Sequence, residues 1–488
     1  MPYAFGAPRH WRGAPGSVDG MALDAALSET ARIARDLIRF DTTNYGEGRS
    51  NGETEAAHYV EAELRSMGLE PVLIDAAPGR TSVIARVEGR YEHPVGQGPS
   101  EHPVGQGPSE HPVGPGPSEH PVDRTRGERP ALVVHGHLDV VPADPANWSV
   151  DPFAGEIRDG MLWGRGAVDM KNMDAMMLTA LRQTIDTGGP NRDLVVAFFS
   201  DEENGGVFGS HHVVSEHPQL FAGATEAISE VGGYSVELAG RRAYLLQTGE
   251  KALVWIKLVA RGTAAHGSRV IANNAVTKLA EAVVALGRQQ WPLHLTDTTR
   301  QLLAELARLL DADPEQVGPD ELLLRSGTAA GFLTATVRTT SNPTLLQAGY
   351  KQNVIPDRAE ALIDIRTLPG EEDAVLAEVQ RLVGDDIEVV VVHRDLGLEN
   401  PFSGALVDEM VATLQRHDPG AEVLPYLLSG GTDNKALSLL GIRGYGFAPL
   451  KLTPELDFPA MFHGVDERVP LDALDFGHAA LTDLLTRY

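Results

Sequence analysis

The stretch ALVVHGHLDVV at residues 131–141 begins as a run of apolar residues and ends in histidine and aspartate. An apolar run of this length is typical of a strand that is buried on both faces. A helical pattern follows at 169–185, and a second apolar run, DLVVAFFSDEE at 193–203, again ends in acids. Alternating strands and helices predict an α/β fold with a mostly parallel sheet flanked by helices. Active sites of such sheets lie at the carboxyl ends of the strands.

Polar residues that bind metals follow both apolar runs. His137 and Asp139 follow the first run, and Glu202 and Glu203 follow the second. Adjacent carboxylates at the end of a buried strand repel each other, and a bound cation removes that cost. A His-x-Asp pair alone is more often structural, however, and a solvated loop explains the adjacent acids equally well.

Three further candidates are Asp169 after a Gly-rich loop, Glu230 after another apolar stretch, and His463 near the C-terminus. Each alone has an ordinary explanation, such as a helix cap for Asp169 or a surface acid for Glu230. Taken with His137 and Glu203 they make two histidines and three carboxylates, which suit a pair of divalent ions, zinc first among them. Glu202, beside a ligand, is the general base that metal-assisted hydrolysis needs.

The pattern changes near residue 248, where long alternating strands combine with helices in a two-layer α+β unit. From residue 399 the chain resumes the pattern of its first part. We therefore predict a catalytic domain formed by residues 21–247 and 399–488, with a second domain, 248–398, inserted into it. An extra helical stretch enlarges the inserted domain at 290–345.

Two segments have low-complexity sequences. Residues 1–20 are rich in Gly and Pro and predict a disordered arm. Residues 92–122 repeat the nonapeptide EHPVGQGPS, which is too short and too polar to form a core of its own. This density of Pro and Gly predicts a disordered, solvated insertion in a surface loop. A loose metal site on the histidines of the repeat is the less favoured alternative.

Composition and charge argue against several functions. The chain has 41 Lys and Arg against 68 Asp and Glu, a formal net charge of −27, which disfavours nucleic-acid and membrane partners. The absence of cysteine excludes disulfides, zinc–thiolate sites and thiol nucleophiles. No apolar run approaches the about 20 residues of a spanning helix, and the first 20 residues lack a signal-peptide core. We expect a soluble, cytoplasmic protein.

The chain resembles the dizinc metallopeptidase family that includes aminoacylase, succinyl-diaminopimelate desuccinylase, acetylornithine deacetylase and glutamate carboxypeptidase. The resemblance extends from about residue 24 to the end, and its motifs occur in the family's order. They are HGHLDVVP (135–142), WGRGAVDMK (163–171), FFSDEENGG (198–206), ISEVGG (228–233), GTAAHGS (262–268), NVIPDRAEALIDIRTLPG (353–370), GGTDNKAL (430–437) and FHGVDERV (462–469).

The resemblance implies a zinc-peptidase-like catalytic domain that carries two zinc ions. His137, Asp169 and Glu230 would hold one ion, and Asp169, Glu203 and His463 the other, with Asp169 bridging them. Cobalt or manganese would suit the same ligands.

The resemblance also implies a mechanism, in which a water shared by the two ions attacks an amide. Glu202 would be the general base, and Asp139 would orient His137. His266, from the inserted lid domain, would stabilise the oxyanion in the active site of a second subunit. A homodimer through the inserted domain is therefore expected, although the enlargement at 290–345 lies close to where the family dimerises.

Substrate contacts carried over from the family are Arg366 for a carboxylate, Asn353 beside the site, and Thr432 in the pocket. Each of the less specific assignments has an alternative. Arg366 could simply pair with Asp364, Thr432 could form only a turn, and His266 could be an ordinary loop histidine.

The function implied is hydrolysis of the amide bond in a short peptide or an N-acyl amino acid with a free carboxylate. The alternatives are a non-catalytic binding protein on the same fold and a dimetal phosphoester hydrolase. The second lacks a phosphate-cradling loop, and no GxSxG motif supports a serine hydrolase.

Overall fold

The computed structural model of the chain describes residues 27–90, 129–238, 240–314 and 316–488. The arm predicted at 1–20 and the nonapeptide repeat predicted at 92–122 lie outside the described residues. No helix among the residues described has the length and apolar character needed to cross a membrane.

The described residues form 21 strands. They are β1 (Asn44–Gly46), β2 (Arg49–Ser50), β3 (Val72–Ala77), β4 (Arg80–Val87), β5 (Ala131–His137), β6 (Glu156–Arg158), β7 (Met161–Trp163), β8 (Leu194–Phe199), β9 (Ala224–Ser229), β10 (Ser235–Leu238), β11 (Arg241–Glu250), β12 (Ala252–Arg261), β13 (Ala265–His266), β14 (Thr340–Ala348), β15 (Val354–Ile355), β16 (Arg358–Thr367), β17 (Ile387–Arg394), β18 (Leu398–Glu399), β19 (Glu422–Leu428), β20 (Arg443–Gly446) and β21 (Arg468–Pro470).

The α-helices of the same residues follow in the same order. They are α1 (Glu29–Ile38), α2 (Thr54–Ser66), α3 (Lys171–Asp186), α4 (Ser210–Glu216), α5 (Ala275–Gly287), α6 (Asp297–Leu309), α7 (Pro319–Leu324), α8 (Ala330–Leu333), α9 (Glu372–Val383), α10 (Ala405–His417), α11 (Asn434–Ser438) and α12 (Leu471–Arg487).

The larger sheet has ten strands in the order β10-β11-β20-β9-β5-β8-β4-β3, with β18 and β19 also pairing with β11. Its centre, β20-β9-β5-β8, is parallel. The β3–β4 edge is antiparallel because only Pro78 and Gly79 join the two strands, and Gly79 supplies the positive φ (82°) that so tight a turn requires. The predicted α/β class is confirmed, and the sheet is mixed, with parallel strands at its centre and antiparallel strands β3 and β4 at one edge.

Strand β5 shows why helices cover both faces of this sheet. Successive side chains of a strand point to opposite faces, and every residue of β5 is buried. Leu132 and Val134 join a core formed with α1, α3, α10 and α12, whereas Val133 joins a separate core formed with α4 and α11. The continuous apolar run in the sequence is thus explained by burial on two sides.

The smaller sheet is antiparallel, with strands in the order β14-β16-β12-β17. Helices α5 and α9 cover one face, against the alternate apolar residues of β12 and β16. This is the predicted two-layer α+β unit. The outer strand, β14, is exposed over residues 342–348.

The segment 295–337 differs from its prediction. We expected it to enlarge the smaller domain, but α6, α7 and α8 pack on the larger sheet instead. Their leucines share one core with Leu245 of β11 and with Leu424 and Tyr426 of β19. The physical reason is that α6 is amphipathic and this end of the larger sheet presents an apolar face to it. Within the part of the chain that the structure describes, β14 is the last strand of the smaller sheet at this edge.

Replacing Leu306 with alanine tests this packing. Leu306 is 0% exposed in the core shared with the larger sheet, whereas Leu324 at the end of α7 is 64% exposed. We expect Leu306→Ala to lower the free energy of unfolding by about 2–5 kcal/mol, because a buried cavity is created. Leu324→Ala is the control and should change it by less than about 0.5 kcal/mol. Equal effects of the two substitutions in chemical denaturation would contradict the packing.

Candidate metal centre

The candidate ligands gather at the carboxyl edge of the parallel strands. His137 ends β5 and lies opposite Phe199, the last residue of β8, so the acids that follow β8 begin beside it. Glu230 directly follows β9, which pairs with β5 on the other side. Asp169 precedes α3, and His463 lies in the loop before β21. Parallel neighbouring strands thus carry residues from distant parts of the sequence to one edge.

One group of ligands consists of His137, Asp169 and Glu230, all buried. The His137 Nε2 atom lies 3.0 Å from Asp169 Oδ1 and 3.6 Å from Glu230 Oε2. The other ring nitrogen, Nδ1, lies 3.0 Å from the backbone oxygen of Asp139. Donation from Nδ1 to that oxygen leaves the Nε2 lone pair directed at the carboxylates, as a metal ligand requires.

The second group consists of Asp169, Glu203 and His463. The His463 Nε2 atom lies 3.2 Å from Asp169 Oδ2 and 3.1 Å from Glu203 Oε2. In each group the ligand atoms lie within 4.8 Å of one another. The two oxygens of Asp169 therefore face different histidines, which is the arrangement of a carboxylate that bridges two ions.

The charges of the centre fit bound cations. Burial, together with the nearby Asp169 carboxylate, raises the pKa of Glu230 to about 8 and also raises the pKa of Glu203. The Oε1 atom of Glu203 is buried and has no hydrogen-bond partner among the described residues. Against the cost of burial, hydrogen bonds to Asp169 and Glu203 raise the pKa of His463 to about 11. A divalent cation bound between these carboxylates would offset their mutual repulsion without added protons. Oxygen and nitrogen ligands suit zinc, cobalt or manganese.

Glu202 lies beside both groups without belonging to either. Its Oε2 atom is 3.9 Å from His137 Nε2, and its side chain is 15% exposed. Burial raises the pKa of Glu202 well above its usual range, and the carboxylates of Glu230 and Asp433 raise it further. The position of this carboxylate beside both groups suits it to exchange protons with a molecule bound there.

Asp139 acts on the centre in a way that the sequence did not predict. Its backbone oxygen orients His137, and its carboxylate Oδ1 is farther from that ring, at 3.6 Å from Nδ1. The carboxylate instead accepts hydrogen bonds from the backbone N–H groups of Glu202 (3.0 Å) and Glu203 (3.2 Å). Asp139 therefore fixes both the histidine and the turn that carries the acids.

The predicted lid residues His266 and Asn353 lie side by side in the smaller unit. His266 is exposed in β13, and its Nδ1 atom lies 2.8 Å from Ser268 Oγ. Asn353 directly precedes β15, which pairs with β13, so the two residues lie together in the smaller unit. Within the described residues of this one chain, neither belongs to a group of metal ligands.

The two other predicted substrate contacts are engaged within the chain. Arg366 forms a double hydrogen bond with Asp364, at 2.7 and 3.0 Å, which is the alternative that the sequence left open. Thr432 is buried, and its hydroxyl donates to Glu250 at 2.6 Å. This position differs from the predicted pocket lining, because the loop folds back on a buried acid that needs donors.

Sequence reasoning missed a buried ion pair between Arg165 and Glu467. Glu467 also accepts from the backbone N–H of Gly166 at 2.8 Å, and Arg165 donates to the backbone oxygen of Gly464 at 2.9 Å. The pair therefore ties the loop before Asp169 to the loop that carries His463. Arg165 lies in the WGRG motif, but its partner is 302 residues away and no spacing rule points to it.

Comparisons with known proteins agree with this geometry. The sequence model of peptidase family M20/M25/M40 matches residues 133–487. The N-fatty-acyl-amino acid synthase/hydrolase PM20D1 of Xenopus tropicalis is 30% identical over 356 residues, which are 70% of this chain and 69% of that protein. The succinyl-diaminopimelate desuccinylase of Rhodospirillum centenum is 30% identical over 315 residues, 62% of this chain and 69% of that one.

The M20 family metallo-carboxypeptidase Sso-CP2 of Sulfolobus solfataricus has a similar structure, with a TM-score of 0.67 at 17% identity. The match covers 94% of this chain and 99% of that chain. That structural likeness shows a shared fold.

Metal uptake should release protons. With the pKa of His463 raised to about 11 and that of Glu230 to about 8, both carry protons at neutral pH until a metal displaces them. Zinc affinity should therefore rise from about pH 6 to about pH 8. Calorimetry in buffers of different ionisation enthalpy counts the protons released. His463→Ala should release fewer, and the control His58→Ala, at an exposed histidine, should match the wild type. An unchanged count in His463→Ala would contradict the assignment.

Proposed function

The chain belongs to peptidase family M20/M25/M40, and from the geometry of its metal centre we propose that it hydrolyses the amide bond of an N-acyl amino acid or a short peptide. The observation that carries the proposal is the pair of ligand groups that share Asp169, with Glu202 beside both. A non-catalytic binding protein would need the ligands but not a partly buried acid that belongs to neither group, so we favour an enzyme.

Two zinc ions are the proposed cofactors, with cobalt or manganese as substitutes. His137, Asp169 and Glu230 would hold one ion, and Asp169 would share the other with Glu203 and His463. Bound divalent cations lower the pKa of water and polarise a carbonyl oxygen. The shared carboxylate would keep the two positions next to each other.

Glu202 is the proposed general base. Its carboxylate would take the proton of the attacking water and then give it to the leaving nitrogen. The proton that Glu202 takes up in the first transfer is the proton that it gives in the second, so its carboxylate is restored at the end of the reaction. The hydrogen bond from its backbone N–H to Asp139 holds the residue beside His137 during both transfers.

The substrate class is proposed from the names of the relatives and from the site. One relative is named for N-fatty-acyl amino acids and the other for a succinylated amino acid, which favours an N-acyl amino acid. We propose that Arg366 contacts the substrate carboxylate, with Asn353 near it. Arg366 is 26% exposed on its side chain, and Asp364 would have to share it with the substrate.

A homodimer is proposed because His266 contacts no metal ligand of its own chain and is exposed. The exposed β14 edge offers a place for a second copy, since Leu345 is 49% and Leu346 is 58% exposed there. An uncovered strand edge readily pairs with another strand. Joined in this way, the smaller unit of one subunit would present His266 to the metal centre of the other.

Replacing Glu202 with glutamine tests the base. We expect Glu202→Gln to retain both metal ions and to lose about 10²–10⁴-fold in kcat, because the amide cannot accept the proton. Metal content is measured by mass spectrometry and turnover with a panel of N-acyl amino acids and dipeptides. The control Glu70→Gln, at an exposed position, should keep full activity. Full turnover in Glu202→Gln would remove the proposed role.

Mixing two inactive variants tests His266. Subunits with His266→Ala and subunits with Glu202→Gln should regain about one quarter of the wild-type activity after exchange. Half of randomly exchanged dimers are hybrids, and each hybrid has one complete site of two. The controls are each variant exchanged with itself. Absence of any recovery, with exchange verified by mass spectrometry, would place the action of His266 within one chain or remove its role.

A further inference from the structure

A buried polar cluster lies behind the turn that carries Glu202. It consists of Asn44 in β1, Glu53 before α2, Arg80 in β4, and the two acids Asp139 and Asp201. Asn44 is 4% and Arg80 is 5% exposed, and the three acids are fully buried. We call these five residues the Asn44 network. Three of them precede residue 133, where the match to the family begins.

Every hydrogen-bonding position of the Asn44 side chain is used. Its Nδ2 atom donates to Asp139 Oδ2 and to Asp201 Oδ1, both at 2.9 Å. Its Oδ1 atom accepts from Arg80 Nη2 and from the backbone N–H of Gly46, both at 3.1 Å. A side-chain amide has two donors and one oxygen acceptor, so it can bridge two carboxylates while it binds a cation. Aspartate has the same shape but no donor.

Arg80 fixes the orientation of this amide. Its guanidinium donates to Glu53 through one nitrogen and approaches Asp201 Oδ1 at 3.1 Å through the other, which also donates to Asn44. A positive donor on the oxygen side of the amide, with carboxylates on its nitrogen side, excludes the flipped orientation. Arg80 also offsets the charge of the acids that Asn44 bridges.

The two bridged acids hold both ends of the metal-binding turn. The Asp139 carboxylate accepts from the backbone N–H groups of Glu202 and Glu203. The Asp201 carboxylate accepts from the backbone N–H of Phe208 at 2.9 Å, while Asp201 itself has a left-handed backbone with φ 64°. Such a conformation is costly for a non-glycine residue and persists only where its surroundings impose it.

We propose that Asn44 is a positioning residue of the metal centre. Through Asp139 and Asp201 it holds the turn that places Glu202 and Glu203, and Arg80 holds Asn44 in the orientation that does so. The kinetic part of the inference rests on the proposed function, whereas the part that concerns metal affinity does not.

Asn44→Asp is the direct test, because it keeps the shape of the side chain and replaces its donor with a carboxylate oxygen that faces two acids. We expect kcat at saturating zinc to fall about 10–100-fold with KM unchanged, and the affinity for the zinc ion that Glu203 would help to hold to fall by a similar factor. Chelator competition measures the affinity. The control Asn400→Asp loses one bond to the backbone oxygen of Gly444, away from the turn, and should change neither quantity.

Asn44→Ser guards against failure of the first variant to fold, since serine adds no charge. It should show the same two losses in smaller measure. Wild-type kcat and wild-type zinc affinity in a folded Asn44 variant would overturn the inference, even if the melting temperature fell. If the wild-type protein binds zinc but cleaves no amide, the proposed function fails, and the zinc affinity of Asn44→Ser still decides the inference.

A double-mutant cycle tests whether Arg80 affects zinc affinity through Asn44. Arg80→Lys keeps the charge but loses the forked geometry that reaches Glu53 and Asn44 together. If Arg80 acts through Asn44, the losses in zinc affinity of Arg80→Lys and Asn44→Ser should combine to less than their sum. Fully additive losses would overturn the assignment of Arg80 as the residue that orients Asn44.

Discussion

The carboxylate of Asp169 joins the two ligand groups, since one of its oxygens faces His137 and the other faces His463. These histidines are 326 residues apart in the sequence (463 − 137). To place both against one acid, the chain needs a central strand that ends at His137, a helix that begins after Asp169, and a C-terminal loop that returns over them. The parallel centre of the larger sheet supplies the first two, and the Arg165–Glu467 ion pair secures the third.

Concentrated negative charge is the cost of this arrangement. Several acids lie buried within one edge of the sheet, and the raised pKa values of Glu202, Glu203 and Glu230 express their mutual repulsion and lost hydration. Buried acids persist in proteins when cations or donors satisfy them. In this protein the acids fall into two sets. Asp169, Glu203 and Glu230 belong to the groups that could hold metal ions. Asp139 instead accepts hydrogen bonds from backbone N–H groups and from Asn44.

The helices around the smaller sheet are divided between the two sheets of the protein. One face of the smaller sheet is covered by α5 and α9, and residues 342–348 of β14 are exposed. The helical segment 295–337 covers the larger sheet instead. In this way the helical segment buries apolar surface of the larger sheet.

The sequence alone determined the family, the α/β class and the five residues that the structure brings into two ligand groups. Those signals are local, since apolar runs set the strands, and a histidine or acid at the end of a run marks one edge of a parallel sheet. Only the tertiary structure decided the partners of Asn44, Arg80 and Arg165, the burial of Thr432 against Glu250, and the packing of α6 on the larger sheet. The physical reason is that a hydrogen bond or an apolar contact between distant segments depends on how those segments are folded together, and no spacing within either segment encodes it.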